Sequence, residues 1–291
     1  VKFKGQHLIR HEIIPVVGEL SKPETYHEAL DKATYVIDNV LDFASQDPFA
    51  SNKALVEATA KSAATHQVAK TYIYTSGGLV YSHSEAVQDE NTPLPGDFPV
   101  FKARIAYERY VQSHTGVRGF VIRPGFVYGG SSGAGNHLSH FFENGKKDKI
   151  VLNSKDSLIC DSNFIILTLS FPDDLKIKRW SWVHVADLAD SYVRAIKQSH
   201  SLQGEAINIV SYSAPTYEQI TLAAAKIAGF KGTVEYTDTP GTDFISTLAN
   251  KNVRLNYKKA EDLLGWTPNH LGVLEELELY YNAIKGGESH H

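Results

Sequence analysis

Residues 72–81 read YIYTSGGLVY, a short run of aromatic and β-branched residues that ends in Thr-Ser-Gly-Gly. Because it is brief, apolar and bounded by turn residues, it predicts a buried strand over 71–75. Further short apolar runs at 12–18, 35–40 and 119–127 predict strands on either side of it. Helical spacing lies between these runs, so strand and helix alternate. That alternation predicts an α/β fold with a doubly wound parallel sheet covered on both faces.

The segments between the strands have the spacing of helices. Ser21-Lys-Pro-Glu24 has the pattern of a capping box with Pro in the first turn, so a helix is expected from there to about Ala33. Residues 50–68 and 103–114 also have helical apolar spacing. In parallel sheets ligands bind beyond the carboxyl ends of the strands. The candidate binding loops are therefore 18–21, 38–44, 75–83 and 124–137.

Beyond residue 136 the alternation is looser, and a smaller substrate lobe is expected. We predict a dinucleotide-binding core over 1–135 and a substrate lobe over 136–285. The run FIILTLSF at 164–171 predicts a hairpin with one buried strand. Later elements are predicted as a helix at 187–198, a strand at 206–210, a helix at 216–228 after a Thr216 cap, a helix at 258–264 ended by Gly265, and a helix at 274–283.

Composition excludes several classes of function. A net charge of -4 and a pI near 6.4 argue against a nucleic-acid partner. No apolar run reaches the roughly 18 residues of a membrane span, and the histidines show no metal-binding spacing. The single cysteine, Cys160, favours a reducing, cytoplasmic compartment. Methionine is absent, so the sequence is expected to begin inside a longer polypeptide or to lack its methionines.

Five motifs occur in an order that resembles one family of enzymes. They are VVGEL at 16–20, YIYTSGGLVY at 72–81, VIRPGFVYGG at 121–130, WSWVHVADLADSY at 180–192 and LGWTP at 264–268. Together they resemble the extended short-chain dehydrogenase/reductase family of nucleotide-sugar epimerases and dehydratases, over essentially residues 11–284. The resemblance implies a Rossmann-like fold, NAD or NADP as cofactor, a small carbonyl, alcohol or nucleotide-sugar substrate, and a homodimer.

The start of the family pattern is not found. Relatives begin with a strand, a G-x-x-G-x-x-G turn and a helix that hold the cofactor pyrophosphate. Nothing before Val16 carries that turn. The run Gly129-Gly-Ser-Ser-Gly-Ala-Gly135 follows a later strand, where the resemblance implies a loop near substrate and nicotinamide. We expect the sequence to start after the Gly-rich unit.

The usual catalytic side chains of the family are also replaced. Relatives use a Ser or Thr, a Tyr, and a Lys four residues after the Tyr, because hydride transfer at carbon needs a matched proton transfer at oxygen. The resemblance places these on Gly77, Val100 and Arg104. Arg104 is no acid or base at pH 7, yet its fork could hold ribose hydroxyls, or it could pair with Glu108 on its own helix.

Other hydroxyls and bases near the predicted cleft are candidate replacements. Ser76 is the best remaining hydroxyl, and Tyr81 is the second candidate, although the family places a mostly structural Tyr there. The catalytic set is therefore predicted as Ser76, Tyr81 and Arg104. Further groups in the same region are His83, Lys102 and Tyr107, of which Tyr107 is preferentially interpreted as a core or helix-surface aromatic.

The resemblance also implies binding residues, each of which has ordinary strand-end packing as its alternative. The implied cofactor contacts are Glu19, Leu20, Asn39, Val40, Thr75, Ser76, Arg104, Pro124, Gly125 and Val127. The implied substrate contacts are Tyr128, Arg179 and His184. Two functions follow: an epimerase-like oxidoreductase with a noncanonical catalytic set, or a catalytically silent dinucleotide-binding sensor or scaffold.

Overall fold

The computed structural model describes residues 8–40, 47–96, 99–130, 137–153, 178–237 and 252–288. The hairpin predicted for 164–171 and Cys160 lie outside the described residues. The strands are, in chain order, β1 (Tyr35–Asp38), β2 (Thr71–Thr75), β3 (Arg118–Pro124), β4 (Phe126–Tyr128), β5 (Lys149–Asn153), β6 (Trp182–His184), β7 (Ala206–Ile209) and β8 (Thr233–Thr237). The α-helices are α1 (His27–Lys32), α2 (Ala50–His66), α3 (Pro99–Ser113), α4 (His137–Phe142), α5 (Val185–Lys197), α6 (Tyr217–Ile227), α7 (Lys258–Leu264) and α8 (Leu277–Glu288).

A four-stranded sheet has the order β1-β2-β3-β7. Strand β2 is parallel to both of its neighbours, with Ile73 opposite Ile37 on one side and Phe120 on the other. The predicted α/β, Rossmann-like fold class is confirmed by this parallel sheet and its flanking helices. The predicted strands at 35–40, 71–75 and 206–210 are confirmed within two residues.

The predicted strand at 119–127 is two strands. β3 ends at Pro124, and after Gly125 the chain changes partners, so that β4 pairs in parallel with β6. A second small parallel pair, β5 with β8, was not predicted from the sequence. Both small pairs join residues far apart in the chain, which local patterns do not reveal.

Residues 12–18 do not form the predicted buried strand. They follow an irregular path, and Ile14 and Val17 are 86% and 76% exposed. The physical reason is the lack of a pairing strand among the described residues, since a single extended segment cannot satisfy its backbone or bury a face. The capping box predicted at Ser21 is also wrong, because its hydroxyl donates to the Glu19 carboxylate at 2.7 Å instead.

The chain divides into two compact units. The first unit comprises Val1–Ser76, Phe98–Ile122 and Ser199–Ala206. Its core is formed by aromatic and aliphatic side chains of β1, β2, β3, α2 and α3, which include Val36, Phe49, Val56, Tyr72, Tyr74, Tyr107, Val111 and Val121. The buried Lys70 ammonium donates to the carbonyls of Leu30, Asp31 and Ala33, and so satisfies the C-terminal end of α1.

The second unit comprises Gly77–Asp97, Arg123–Gln198 and Ile207–His291. Two local predictions are confirmed in it. Thr216 and Gln219 form a reciprocal capping box at the start of α6. Gly265 ends α7 in the left-handed conformation at φ +58°. In the described part of the chain, no helix is long and apolar enough to cross a membrane.

Candidate functional site

The tips of β1 and β2 in the first unit carry four of the predicted cofactor contacts. Asn39 and Val40 directly follow β1, and Thr75 and Ser76 close β2. The Thr75 hydroxyl donates to the Asn39 amide oxygen, so the two tips are joined side chain to side chain. The carboxyl ends of parallel strands lie at one edge of a sheet, which is where this fold class binds ligands.

A buried carboxylate supports those tips from below. Asp38 accepts hydrogen bonds from Asn52 at 2.9 Å, from Tyr72 at 2.8 Å and from Tyr107 at 3.2 Å. Its Oδ1 also accepts the backbone N–H of Val40 at 3.1 Å. The pKa of Tyr107 is raised by burial and by the Asp38 charge. Tyr107 is thus a core residue that positions the β1 tip, which was its alternative interpretation.

Ser76 and Arg104 are the polar side chains of this region with unmet hydrogen-bonding capacity. Ser76 is 8% exposed, and its backbone N–H donates to Ile122 O at 2.8 Å. Its Oγ is near the Tyr74 hydroxyl but makes no well-aligned hydrogen bond among the described residues, and the buried Nε of Arg104 has no hydrogen-bond partner there. A buried donor without a partner costs about 1–3 kcal/mol, a cost that a water or a ligand atom can remove.

Tyr74 lies between these two groups and was not predicted from the sequence. It is two residues before Ser76, so both point to the same face of β2. Burial raises the pKa of Tyr74, and the nearby Arg104 guanidinium acts against that rise. Lys102 is exposed on α3, and Val100 belongs to the first turn of that helix.

Glu19 and Leu20 lie in an exposed turn before α1. The Glu19 carboxylate accepts from Ser21 at 2.7 Å and from Lys22 at 2.6 Å. These two bonds lower its pKa, with Lys22 the larger cause. Leu20 is half-buried and packs against the core of the first unit. An adenine contact by Glu19 therefore stays a prediction, and it requires the carboxylate to leave or share these partners.

Tyr81 is enclosed in the second unit. It is fully buried; its hydroxyl donates to Asn208 Oδ1 at 3.0 Å and accepts from Arg123 Nη1 at 2.9 Å. Burial raises the pKa of Tyr81 to about 12, and Arg123 opposes that shift. The phenol is already satisfied on both sides, so the geometry favours a structural role, as the family's Tyr at this position implies.

The turn from β3 to β4 carries the remaining predicted cofactor contacts. Pro124 ends β3, and Val127 pairs with Val183 of β6. A Cβ at Gly125 would lie 2.5 Å from Ser181 O, so only glycine allows the strands to approach this closely. Strand packing therefore requires glycine at position 125, whether or not a ligand binds there.

The predicted substrate contacts lie in the second unit at two places. Tyr128 and His184 are neighbours, with ring centroids 5.2 Å apart. Arg179 is half-buried and donates to Ala214 O at 3.0 Å, and its pKa is lowered by burial and by Arg254. The positive charge of Arg254 acts on Arg179, and positive charge of this kind favours an anionic ligand.

His83 lies on the same side of this unit as Arg179, since both contact one asparagine. Its Nδ1 accepts the backbone N–H of Asn252 at 2.9 Å, and Nε2 lies 3.2 Å from the Glu85 carboxylate. The Arg179 backbone N–H donates to the side chain of Asn252 at 3.1 Å.

In the described residues, no three His, Cys, Asp or Glu side chains are grouped as metal ligands.

The chain is similar to known proteins of one family. The model of the family described as NAD dependent epimerase/dehydratase matches residues 10–210. No curated protein matches this chain. UDP-glucose 4-epimerase of Thermus thermophilus, solved with NAD, is 19% identical, with 94% of this chain and 86% of that chain covered and a TM-score of 0.68.

Two further solved structures are similar at the level of the fold. For dTDP-glucose 4,6-dehydratase of Bacillus anthracis, solved with NAD, the identity is 16%, the coverage 98% of this chain and 84% of that chain, and the TM-score 0.74. For RMD of Pseudomonas aeruginosa, complexed with NADPH, the identity is 16%, the coverage 99% and 96%, and the TM-score 0.66.

Proposed function

This chain belongs to the NAD dependent epimerase/dehydratase family, and on that premise we propose that it is an oxidoreductase that binds NAD or NADP. Its substrate is a small carbonyl or alcohol compound, or a nucleotide-sugar-like molecule. The observation that carries the proposal is the pair of unsatisfied donors, Ser76 Oγ and Arg104 Nε, in the first unit. They belong to the strand tip and helix at which the fold class binds its ligands.

The residues present suit a dinucleotide in chemical type. Asn39 and Thr75 offer amide and hydroxyl groups at neighbouring strand tips, and Arg104 offers an unpaired N–H to a ribose hydroxyl or a phosphate. Further proposed cofactor contacts are Glu19, Leu20 and Val40 in the first unit; Pro124, Gly125 and Val127, in the second unit, are proposed on the resemblance alone. NAD(P), when bound, supplies or accepts a hydride at carbon.

The chain's own contribution is to hold the substrate oxygen and its proton. Ser76 Oγ can donate one hydrogen bond to that oxygen and accept another, as a hydroxyl does. Arg104 stays charged at every physiological pH, so it stabilises negative charge and does not transfer a proton. Tyr81 stays in the proposed catalytic set, of which it is the only phenol. Because its hydroxyl is already bonded to Arg123 and Asn208, its proposed role is to position other groups and not to transfer a proton.

The second unit supplies the proposed substrate contacts. Arg179, with Arg254 near it, is the group suited to a phosphate, and Tyr128 and His184 are proposed beside the substrate. An arginine guanidinium binds a phosphate through charge-assisted hydrogen bonds, so Arg179 favours a nucleotide-sugar substrate over an uncharged aldehyde. The predicted division at residue 135, a cytoplasmic location and a homodimer are retained as parts of the proposal.

A second candidate function is a catalytically silent dinucleotide-binding sensor. One observation favours it: Gly77 carries no side chain, Val100 carries no ionisable group, and the Tyr81 hydroxyl is sealed inside the second unit. Such a protein would bind the cofactor and fail to turn over any substrate.

The test separates binding from turnover. The protein is titrated with NADH and with NADPH by fluorescence, and then assayed on nucleotide-sugars and on small aldehydes. We expect saturable binding, a loss of about 1–3 kcal/mol of binding free energy in Arg104→Gln, and slower turnover in Ser76→Ala. Arg109→Gln is the matched control, because Arg109 is an exposed arginine of the same helix.

Each result decides between the candidates. Turnover that falls in Ser76→Ala supports the enzyme. Tight binding without turnover, unchanged in Ser76→Ala and Tyr81→Phe, supports the sensor. If neither cofactor binds, or if Arg104→Gln and Arg109→Gln weaken binding equally, the proposed site is wrong.

A further inference from the structure

Two histidine rings are stacked inside the second unit, next to the start of α5. The His184 and His270 ring centroids lie 3.5 Å apart with the planes inclined by 26°. His184 is buried at the end of β6, and His270 follows the LGWTP motif. A Cβ at Gly129 would lie 2.2 Å from His184 Nε2, so the ring is closely covered by backbone.

Hydrogen bonds define the protonation state of His184. Its Nδ1 accepts the backbone N–H of Ala186 at 3.2 Å, as the N-cap of α5. Nδ1 therefore carries no proton, and the neutral ring has its hydrogen on Nε2. Nε2 lies 2.7 Å from the Tyr280 hydroxyl and donates to it.

The Tyr280 hydroxyl continues this chain of hydrogen bonds. It donates to Glu276 Oε2 at 3.4 Å, and the same oxygen accepts from Tyr128 at 3.2 Å. Tyr280 belongs to α8, so neutral His184 fastens that C-terminal helix to β6 and to the first turn of α5. Every donor in this chain has an acceptor as long as His184 is neutral.

His270 brings a second ionisable ring to the same place. Its Nδ1 lies 3.0 Å from the Asp187 carboxylate, without hydrogen-bond alignment. Asp187 Oδ2 accepts the backbone N–H groups of Asn269 and His270, at 3.1 Å each. When protonated, His270 pairs with Asp187 and places a positive charge against the face of His184.

We propose that His184 and His270 form an acid-sensitive latch, which holds the first turn of α5 while His184 is neutral and releases it when His184 is protonated. Protonation at Nδ1 removes the cap of Ala186. It also puts a cation at the positive end of the α5 dipole and against a second imidazole 3.5 Å away.

The pKa of His184 is lowered by burial and by His270, in agreement with this geometry. A histidine with a lowered pKa in the folded state binds its proton more readily once released. The latch is therefore at full strength above the ordinary histidine pKa of about 6.5, and it weakens as the pH falls below it. The ionisable groups that face His184 from the surrounding elements are His270, Asp187, Glu276, Tyr128 and Tyr280.

The two carboxylates act against the effect and limit its size. Asp187 and Glu276 both favour the protonated form of His184 and so raise its pKa. Burial and His270 lower that pKa by more, so the net shift is downward. Between pH 7.5 and 5.5, one histidine with an unperturbed pKa of about 6.5 in the released state changes the opening equilibrium at most about tenfold.

The experiment is hydrogen exchange of the amides in the first turn of α5, measured by mass spectrometry at pH 7.5 and 5.5 and corrected for the intrinsic rates. We expect opening of this turn to rise severalfold, up to about tenfold, at the lower pH. His270→Gln should reduce this rise, because the neighbouring charge is gone. His184→Asn keeps a side chain able to cap α5, does not titrate, and should abolish the rise.

The control is His140→Gln, a change at an exposed histidine of the same unit, which should leave the acid response intact. Protection of the first turn of α5 that is equal at both pH values in the unchanged protein overturns the proposal. So does an acid response that persists in both histidine variants. If His184→Asn does not fold, His270→Gln, a change at a partly exposed position, tests the proposal on its own.

Discussion

Two stretches of the first unit are both rich in residues that favour strands, and only one of them forms a strand. Residues 71–75 form β2, with β1 and β3 on either side, and Tyr72, Ile73 and Tyr74 are at most 1% exposed. Residues 12–18 contain two Ile and two Val, yet they pair with no strand among the described residues and lie open to solvent. Strand propensity thus describes a side-chain preference, and pairing partners decide whether a strand forms.

The contrast extends to the edge of the sheet nearest that exposed stretch. Beside β1 lies a cavity of about 380 Å³, with a lining that includes Val16, Leu20, Tyr26, Leu30, Tyr35 and Val36. Tyr35 and Ile37 of β1 are partly exposed, while Val36 and Asp38 are buried. β1 therefore has the alternation of exposed and buried side chains that is typical of a half-buried edge strand, whereas β2 is buried on both faces.

The largest expected effect comes from cutting the buried stretch. Ile73→Ala removes a fully buried side chain between two strands, so we expect the free energy of unfolding to fall by about 3 kcal/mol. The matched change Ile14→Ala, in the exposed stretch, should cost less than about 0.5 kcal/mol. Urea unfolding followed by fluorescence measures both. Equal losses at the two positions would mean that residues 12–18 are buried in solution.

Much of the fold could be predicted because its signals are local. The β2 run, the Thr216 cap and the Gly265 stop are each decided within a few residues, and all are confirmed. The β4–β6 and β5–β8 pairs were missed because their partners are 56 and 84 residues apart in register. The stretch at 12–18 was wrongly predicted, since its four Ile and Val residues favour a strand, while Pro15 and the lack of a partner among the described residues exclude one.

The second largest loss of stability is expected at the hydrogen bonds that hold the end of β1. Asn52→Ala deletes donors to both Asp38 oxygens and to Val40 O, which leaves a buried carboxylate poorly satisfied. We expect a loss of about 2 kcal/mol in the free energy of unfolding. Asn91→Ala, at an exposed asparagine, is the control and should be close to neutral. A neutral Asn52→Ala would show that Asp38 does not depend on this amide.

The candidate site was predictable in part, for a related reason. Ser76 and Arg104 were named from motif positions, and the structure gives both a buried atom without a partner. Tyr81 was named in the same way, but its partner Asn208 lies 127 residues away and no pattern near Tyr81 announces it. The roles of all three in catalysis stay predictions.

A smaller effect on stability, with a clear spectroscopic result, is expected from charging the exposed stretch. Ile14→Lys combined with Val17→Lys should lower the fluorescence of a hydrophobic dye bound to the protein. The free energy of unfolding should change by less than about 0.5 kcal/mol. Val185→Lys with Val193→Lys, at two partly exposed valines of α5, is the control for added charge. An equal loss of dye binding in both double variants would contradict a special role for residues 12–18.

The smallest effect is expected at the turn that follows the exposed stretch. The pKa of Glu19 is lowered by bonds from Lys22 and Ser21, so its carboxylate stabilises the turn at neutral pH and loses that contribution as the pH falls. Because the pair is exposed and screened by water, Glu19→Gln should lower the melting temperature by no more than about 1 °C at pH 7.

That difference should shrink as the pH falls below the ordinary glutamate range, since protonation removes the charge, and in about 1 M salt, where the ion pair is screened. Calorimetry of both proteins under the three conditions measures it. A loss comparable with that of Asn52→Ala would place this turn among the elements that hold the first unit together. The exposed stretch would then end before Glu19, and the turn would belong to the core. An exposed ion pair changes the melting temperature so strongly only when the backbone that it fixes is itself part of the core.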